Sequence, residues 1–409
     1  MLNGIIKIKH PFLQFLKNLN VHQNFKHTNI GLIPEDWEVK KLGEIGEVRM
    51  CRRVFSYQTK PVGLIPFYKI GTFGKKADAY ISEELYNEYR QQFSFPKKGD
   101  ILISASGTIG RTIIYQGEPA YFQDSNIVWI DNDSTIVLNG YLYHVLQVIK
   151  YNTEGGTIQR LYNSILKNAN FPLPPLAEQT RIAEALSDMD ALIAHTEQLL
   201  HKKQNLKQAL MQKLLQPKED WEVKKLKDIG TIITGSTPPT HIKEYWNGDI
   251  PWVTPTDITT NKDIYTSERE ITMKGLSIIR KLPKHTLLVT CIASIGKNAI
   301  LRKIGASNQQ INAIIPTNES NVDFLYYTIE HHKGILVGNA GITATLILSK
   351  KEFGEVKIPF PPLAEQTHIA TILSDADLEL LSLSRKIAKL RLQKQGMMQA
   401  LLTGKIRLL

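Results

Sequence analysis

Pro174-Pro175-Leu176-Ala177-Glu178-Gln179-Thr180 occurs again, unchanged, as Pro361-Pro362-Leu363-Ala364-Glu365-Gln366-Thr367, 187 residues further on. The likeness continues downstream: Ile182-Ala183 with Leu186-Ser187-Asp188 returns as Ile369-Ala370 with Leu373-Ser374-Asp375. Upstream, Glu35-Asp36-Trp37-Glu38-Val39-Lys40-Lys41-Leu42 returns as Glu219-Asp220-Trp221-Glu222-Val223-Lys224-Lys225-Leu226, an offset of 184. One unit of about 185 residues is thus written twice. That period is too long for a solenoid and marks a tandem duplication of whole domains.

Each proline motif opens a helix. Ile369, Leu373, Ala376, Leu380, Leu383, Ile387, Leu390, Lys394, Met397 and Leu401 follow a 4-3-4-3 spacing. The first copy has Ile182, Leu186, Met189, Ile193, Thr196, Leu200, Lys203, Lys207, Leu210 and Leu214 at the matching places. An apolar repeat of this period sustained over about five heptads predicts a coiled-coil seam. Pro217 stops the first helix and Gly404 caps the second. Charge predicts the pairing. Glu178, Glu184, Asp188, Asp190 and Glu197 occupy the first half of helix one, with Arg181 the exception, and Lys202, Lys203, Lys207 and Lys213 the second. Helix two repeats the order, with Glu365, Asp375, Asp377 and Glu379 before Arg385, Lys386, Lys389, Arg391 and Lys394. Each pattern complements its own helix dipole, and antiparallel pairing within the chain also sets every acidic half against a basic one. A seam of about 38 residues would measure roughly 57 Å at 1.5 Å per residue.

The regions before the helices, roughly 33–171 and 218–360, hold short β-like runs such as Ile101-Leu102-Ile103 and Leu287-Leu288-Val289, punctuated by Gly, Pro and Asn. These predict strand-rich α+β domains. The 409 residues carry a net charge of +11, which suits a polyanionic partner without demanding one. No apolar run is long enough to span a membrane. The first 26 residues form a basic, apolar extension with a helix expected around 12–19, and two cysteines without metal spacing fit a cytoplasmic protein.

Motifs for catalysis are missing from the chain. There is no phosphate-binding loop, no dinucleotide fingerprint, no zinc signature and no Asn/Asp-Pro-Pro-aromatic tetrapeptide of amino-methyltransferases. The expectation is a reader with no cofactor, no metal and no catalytic residue.

Two copies of Pro-Pro-Leu-Ala-Glu-Gln leading into long helices, each after a region opening on Asp-Trp-Glu-Val-Lys-Lys-Leu, resemble the specificity (S) subunit of a Type I restriction–modification system. The likeness runs from about Thr28 to Leu409. In the second copy, Gly235-Ser236-Thr237-Pro238, residues 245–253 and Ser307-Asn308-Gln309-Gln310-Ile311-Asn312 are similar to one common subtype of target-recognition domain. The first copy departs from that subtype with Gly46-Glu47-Val48-Arg49-Met50-Cys51-Arg52-Arg53, yet shares Gly107-Thr108-Ile109-Gly110-Arg111 with Ser294-Ile295-Gly296-Lys297.

The fold expected is α+β: two pseudo-symmetric strand-rich target-recognition domains separated by a long antiparallel two-helix coiled coil. The boundaries are an extension at 1–27, domains at 28–173 and 217–360, and spacer helices at 174–216 and 361–409. The resemblance implies that each domain reads half of a bipartite site in double-stranded DNA. It also implies that the helices set the spacing and dock two methyltransferase (M) subunits, to which two restriction (R) subunits can be added. Those M subunits use S-adenosylmethionine to methylate adenine N6, and R subunits add ATP-driven translocation and cleavage. Candidate DNA contacts are Arg49, Arg52, Arg53, Lys75, Lys76 and Arg111 in the first domain. In the second they are Ser236, Thr237, Lys243, Tyr245, Thr254, Lys297 and Gln309, the last a reader of adenine. Candidate seam and docking residues are Ile182, Leu186, Ile193, Leu200, Ile369, Leu373, Leu380 and Ile387. Trp37, Trp221, Trp129 and Trp252 read as core anchors. A Type IIB-like specificity subunit shares this architecture, and a protein-binding coiled-coil scaffold is the reading from a different class.

Overall fold

The computed structural model describes residues 24–151, 160–338 and 347–409, so the helix expected around 12–19 lies outside the described residues. The chain divides into two compact units, one comprising Met1–Thr196 with Lys386–Leu409 and the other Glu197–Arg385. The boundaries at Thr196 and Arg385 fall inside the two long helices, so each helix is shared between the units.

The first described elements are a hairpin, β1 (Phe25–Thr28) and β2 (Gly31–Pro34), and β1 overlaps the end of the segment expected to be an extension. Then come β3 (Glu38–Lys41), β4 (Gly46–Met50), β5 (Ile65–Tyr68), β6 (Tyr80–Ile81), α1 (Glu83–Gln92), β7 (Ile101–Ser104), β8 (Thr112–Ile114), β9 (Tyr121–Phe122) and β10 (Ile127–Asn132). Helices α2 (Asn139–Val148) and α3 (Asn163–Asn168), strand β11 (Asn170–Leu173) and the start of α4 (Leu176–Leu214) complete it. The main sheet runs β4-β10-β7-β8 and is antiparallel throughout. A small sheet, β6-β5-β9, has β5 and β9 parallel, and β3 pairs with β11.

The second unit repeats the plan with β12 (Glu222–Lys225), β13 (Gly230–Thr234), β14 (Trp246–Val253), β15 (Asp263–Ile264), β16 (Glu270–Ile271), α5 (Met273–Ser277), β17 (Thr286–Thr290), β18 (Asn298–Leu301), β19 (Ala306–Ser307) and β20 (Ile311–Pro316). Helices α6 (Val322–His331), α7 (Lys333–Gly338) and α8 (Lys350–Glu355), strand β21 (Lys357–Phe360) and α9 (Leu363–Leu401) follow. Its sheet runs β13-β20-β17-β18-β15. The registers coincide: Gly46 faces Asn132 as Gly230 faces Pro316, both shifted by 184. Ile101 faces Ile114 as Leu287 faces Ile300, shifted by 186. Two sequences with different loops therefore build one scaffold.

The two repeated motifs repeat because they bind each other. Trp37 Nε1 donates to Glu178 Oε2 at 3.0 Å, and Trp221 Nε1 donates to Glu365 Oε2 at 3.0 Å. The following glutamine, fully buried in both copies, ties the helix start to the loop ahead of α2 or α6. Gln179 accepts from Leu138 N at 2.8 Å and donates to Ile136 O and Pro174 O. Gln366 accepts from Asn321 N at 2.9 Å and donates to Glu319 O and Pro361 O. Each buried amide thus has its hydrogen bonds satisfied, as a buried polar side chain must.

Both long helices contain 39 residues and pair antiparallel within each unit. In the first, Ile182, Leu186 and Met189 of α4 share a core with Leu390, Met397 and Leu401 of α9. In the second, Met211 of α4 and Ile369 and Leu373 of α9 share another. Acid meets base as the charge halves predict: Lys394 pairs with Asp190 at 2.7 Å, Lys203 with Glu379 at 2.7 Å, and Lys207 with Asp377. Leu200 and Leu380 are only half-buried, because two helices alone cannot enclose a seam residue. A charge at Leu380 is therefore far cheaper than full burial would make it. Leu380→Asp is expected to cost roughly 1–2 kcal/mol, against about 4 kcal/mol or more for Leu373→Asp, whose site excludes water. Equal losses for the two variants in urea unfolding would show the burial argument to be wrong.

Past α9, Gly404 takes φ +69° and donates its N–H to Leu401 O at 3.2 Å, turning the chain back on itself. The reversal carries Arg407 and Leu408 into the core of the first unit.

Candidate nucleic-acid interface

In each unit the variable loops gather at one end of the main sheet. That end holds the C-termini of β4 and β7 in the first unit and of β13 and β17 in the second, with the C-termini of the small-sheet strands β5 and β9, or β14 and β19, beside it. Its most similar part is the β7–β8 turn and its β17–β18 counterpart. Ser104 Oγ donates to Thr108 O at 2.5 Å, as Thr290 Oγ1 does to Ser294 O. Gly110 N and Gly296 N each return to the strand carbonyl at 3.0 Å, with φ of +79° and +84°. Arg111 follows the first turn and Lys297 the second.

Arg49, Arg52, Arg53, Lys75 and Lys76 are exposed around the first unit's sheet end. Arg49 lies 3.7 Å from Asp131 and Arg53 3.4 Å from Asp124, contacts that orient both guanidiniums. Arg111 is half-buried and donates to Phe73 O at 2.9 Å, tying its own turn to the loop at 71–74. With Lys75 and Gly107 it lines a cleft of 220 Å³. Its guanidinium is thus partly committed to holding the loop that presents the two lysines.

In the second unit hydroxyl side chains stand where the first has Arg52 and Arg53. Thr237 Oγ1 donates to Gln309 Oε1 at 2.7 Å, which fixes the exposed glutamine amide. Ser236 Oγ accepts from Arg280 N at 2.9 Å. Thr254 Oγ1 donates to Asp257 Oδ2 at 2.8 Å, closing a turn. Ser236, Thr237, Thr254 and Gln309 stand together, because Ser236 N reaches Ser307 O at 2.7 Å and Asn308 N reaches Val253 O at 3.0 Å. Lys297 is exposed on the adjoining turn. Lys243 and Tyr245 belong elsewhere: they precede β14, at the strand's opposite end from Thr254, beside α5.

Arg280 was missed. It donates to Thr234 O at 2.7 Å and stays exposed beside Thr237 and Gln309. Nothing local flags it, since its partners lie 44 to 46 positions away. Both cysteines are buried, and burial pushes their thiols up to about 12, leaving them protonated near neutral pH. Among the described residues no cluster of His, Cys, Asp and Glu has metal-site geometry, and no helix is long and apolar enough to cross a membrane.

A family model described as the Type I restriction modification DNA specificity domain matches residues 34–205 and again 218–391. The chain belongs to this specificity family. Over 432 residues it is 30% identical to the putative type I restriction enzyme MjaX specificity subunit of Methanocaldococcus jannaschii, covering 97% of this chain and 98% of that one. A putative type I restriction enzyme specificity subunit of Haemophilus influenzae is 62% identical over 161 residues, which is 39% of this chain and 42% of that relative. Among solved structures, the S subunit of a Type I restriction-modification system from M. genitalium aligns with TM-score 0.59 at 16% identity, over 94% of this chain and 98% of that one. At that identity the likeness concerns the fold. The specificity family is a non-catalytic one.

Proposed function

We propose that this chain reads DNA sequence for a Type I restriction–modification complex, each unit recognising one half of a bipartite site in double-stranded DNA. The observation that carries the reading is the sheet end built twice on matching registers and furnished differently. Arg52 and Arg53 follow β4 where Ser236 and Thr237 follow β13. One scaffold with two unlike reading edges is what a site with unequal halves requires. Exposed arginines suit guanine edges, and a fixed Gln309 amide suits adenine. On this reading α4 and α9 set the separation of the halves and dock two methyltransferase subunits, and the assembly works in the cytoplasm. Those subunits, using S-adenosylmethionine, would methylate adenine N6 in both halves, and restriction subunits would add ATP-driven cleavage.

The test is single-molecule methylome sequencing of cells that express the chain with its co-encoded methyltransferase, against cells in which the chain is deleted. A split motif carrying N6-methyladenine in both halves, lost on deletion, is the expected result. An unchanged methylome with an active methyltransferase would overturn the reading.

A further inference from the structure

We propose that Phe55 and Tyr57, in the turn that follows β4, form a wedge that inserts at a base step of the DNA half-site read by the first unit. This deepens the specificity reading and rests on it. The two rings lie parallel, 9° apart, with centroids at 5.7 Å, although Phe55 is 48% and Tyr57 82% exposed. Val62 and Leu64, five and seven residues further along the same segment, are 79% and 78% exposed. Two large rings stacked on each other in solvent are the mark of a surface that is used.

The turn is held rigid. Phe55 N donates to Gln58 Oε1 at 2.9 Å, Gln58 N to Phe55 O at 2.9 Å, and Thr59 Oγ1 to Ser56 O at 2.8 Å. Rings on such a turn lose little conformational freedom when they bind.

The surrounding charge selects the occupant. Residues 48–64 carry Arg49, Arg52, Arg53 and Lys60 and no acidic side chain. Arg52 is fixed with its guanidinium 5.1 Å above the Phe93 ring. Asp124 and Asp131, which face the segment from the β10 side, are held by Arg53 and Arg49. Aromatic rings among phosphate-seeking cations are the chemistry of proteins that unstack a duplex step. On the shared register, Pro239 and His241 replace Phe55 and Tyr57 in the second unit, so the wedge belongs to one half-site only. Pyrimidine–purine steps unstack most readily and are the expected target.

The experiment uses the assembled complex and duplexes bearing its methylome-defined site, with 2-aminopurine placed at successive positions in each half. Binding should raise 2-aminopurine fluorescence at one step in one half only. Tyr57→Ala should abolish the rise and weaken binding roughly ten-fold, the scale of one lost base-stacking contact. Tyr265→Ala, which removes an exposed ring from the second unit, should change neither. Tight binding without a fluorescence rise in either half overturns the wedge and leaves the specificity reading standing. So does a Tyr57→Ala complex that binds and fluoresces like the parent, including one in which methyltransferase assembly alone is weakened. Absence of any site-selective binding by the parent complex would instead bring down the specificity reading itself.

Discussion

Arg407→Ala should cost the first unit about 3–5 kcal/mol, the range for stripping one partner from a buried ion pair. The arginine side chain is 4% exposed and Glu178 3%. Nε reaches Glu178 Oε1 at 2.5 Å, Nη2 reaches Glu178 Oε2 at 2.7 Å, and the two terminal nitrogens reach Asp36 at 2.9 and 2.7 Å. Asp36 is more than half exposed and can rehydrate when the guanidinium goes. Glu178 cannot, and would keep only the Trp37 indole as a hydrogen-bond donor among these partners. The penalty is thus mostly that of an isolated buried carboxylate. Replacing both members, with Arg407→Met and Glu178→Leu, should recover much of the loss for the same reason.

The check is urea unfolding of the full chain followed by hydrogen exchange in β3 and the first turns of α4. Protection should fall there in Arg407→Ala and return in the double variant. Equal protection in all three proteins would show that the network contributes nothing. The hydrogen bonds from Arg407 hold the Asp36 carboxyl below its usual range. A depressed carboxylate contributes stability that is complete above its unfolded value, near 4, and is lost as pH falls through the folded one. Arg407→Ala should therefore lose less stability below pH 4 than the parent. The corresponding bond in the second unit, Lys218 to Glu365, involves an exposed lysine. Lys218→Ala should have a much smaller effect, since water replaces the ammonium.

The helices, their partner and their direction were all legible in the sequence, because a heptad pattern and two charge halves are local properties that also dictate the pairing. The duplicated scaffold was legible too, since identical motifs at fixed offsets demand equivalent folds. What the repeats do to each other was not. Trp37 and Glu178 are 141 residues apart, and nothing in either motif names the other as its partner. Fold-back of the tail was hidden for the same reason: Arg407 meets Asp36 across 371 positions. Within the candidate interface, residue type marked the exposed arginines of the first unit. It could not separate Thr254, which follows β14, from Lys243 and Tyr245, which precede its start. Hydroxyls were the least legible, because a serine or threonine that closes a turn and one that faces a ligand look alike until partners are known.

Gly235→Ala should disable the second reading edge. A Cβ at this position would stand 2.1 Å from Asn308 O, 2.3 Å from Ser307 O and 2.5 Å from Ser307 Oγ. Two of the three obstacles are backbone atoms, which cannot swing aside as a flexible side chain would. The strand-end hydrogen bond from Ser236 N to Ser307 O, at 2.7 Å, must therefore break or stretch. With it goes the seating of Thr237 against Gln309 and of the Trp252 indole on Ser236 O. A cost of about 3 kcal/mol is expected, the upper end for overpacking a closed site. On the specificity reading, methylation of the bipartite site should fall with it, because one half is no longer recognised. The first unit supplies the control. On the shared register Cys51 occupies this place, and its side chain is buried without conflict. There the following loop has one more residue between its two anchoring bonds, from Gln123 to Asn126, where the second unit spans Asn308 to Gln310. Cys51→Ala should accordingly preserve site-specific methylation, while Gly235→Ala abolishes it in the same methylome assay. Normal methylation by Gly235→Ala would mean that the loop at 307–310 can move without loss of recognition, and would exclude the Thr237–Gln309 pair as a reader.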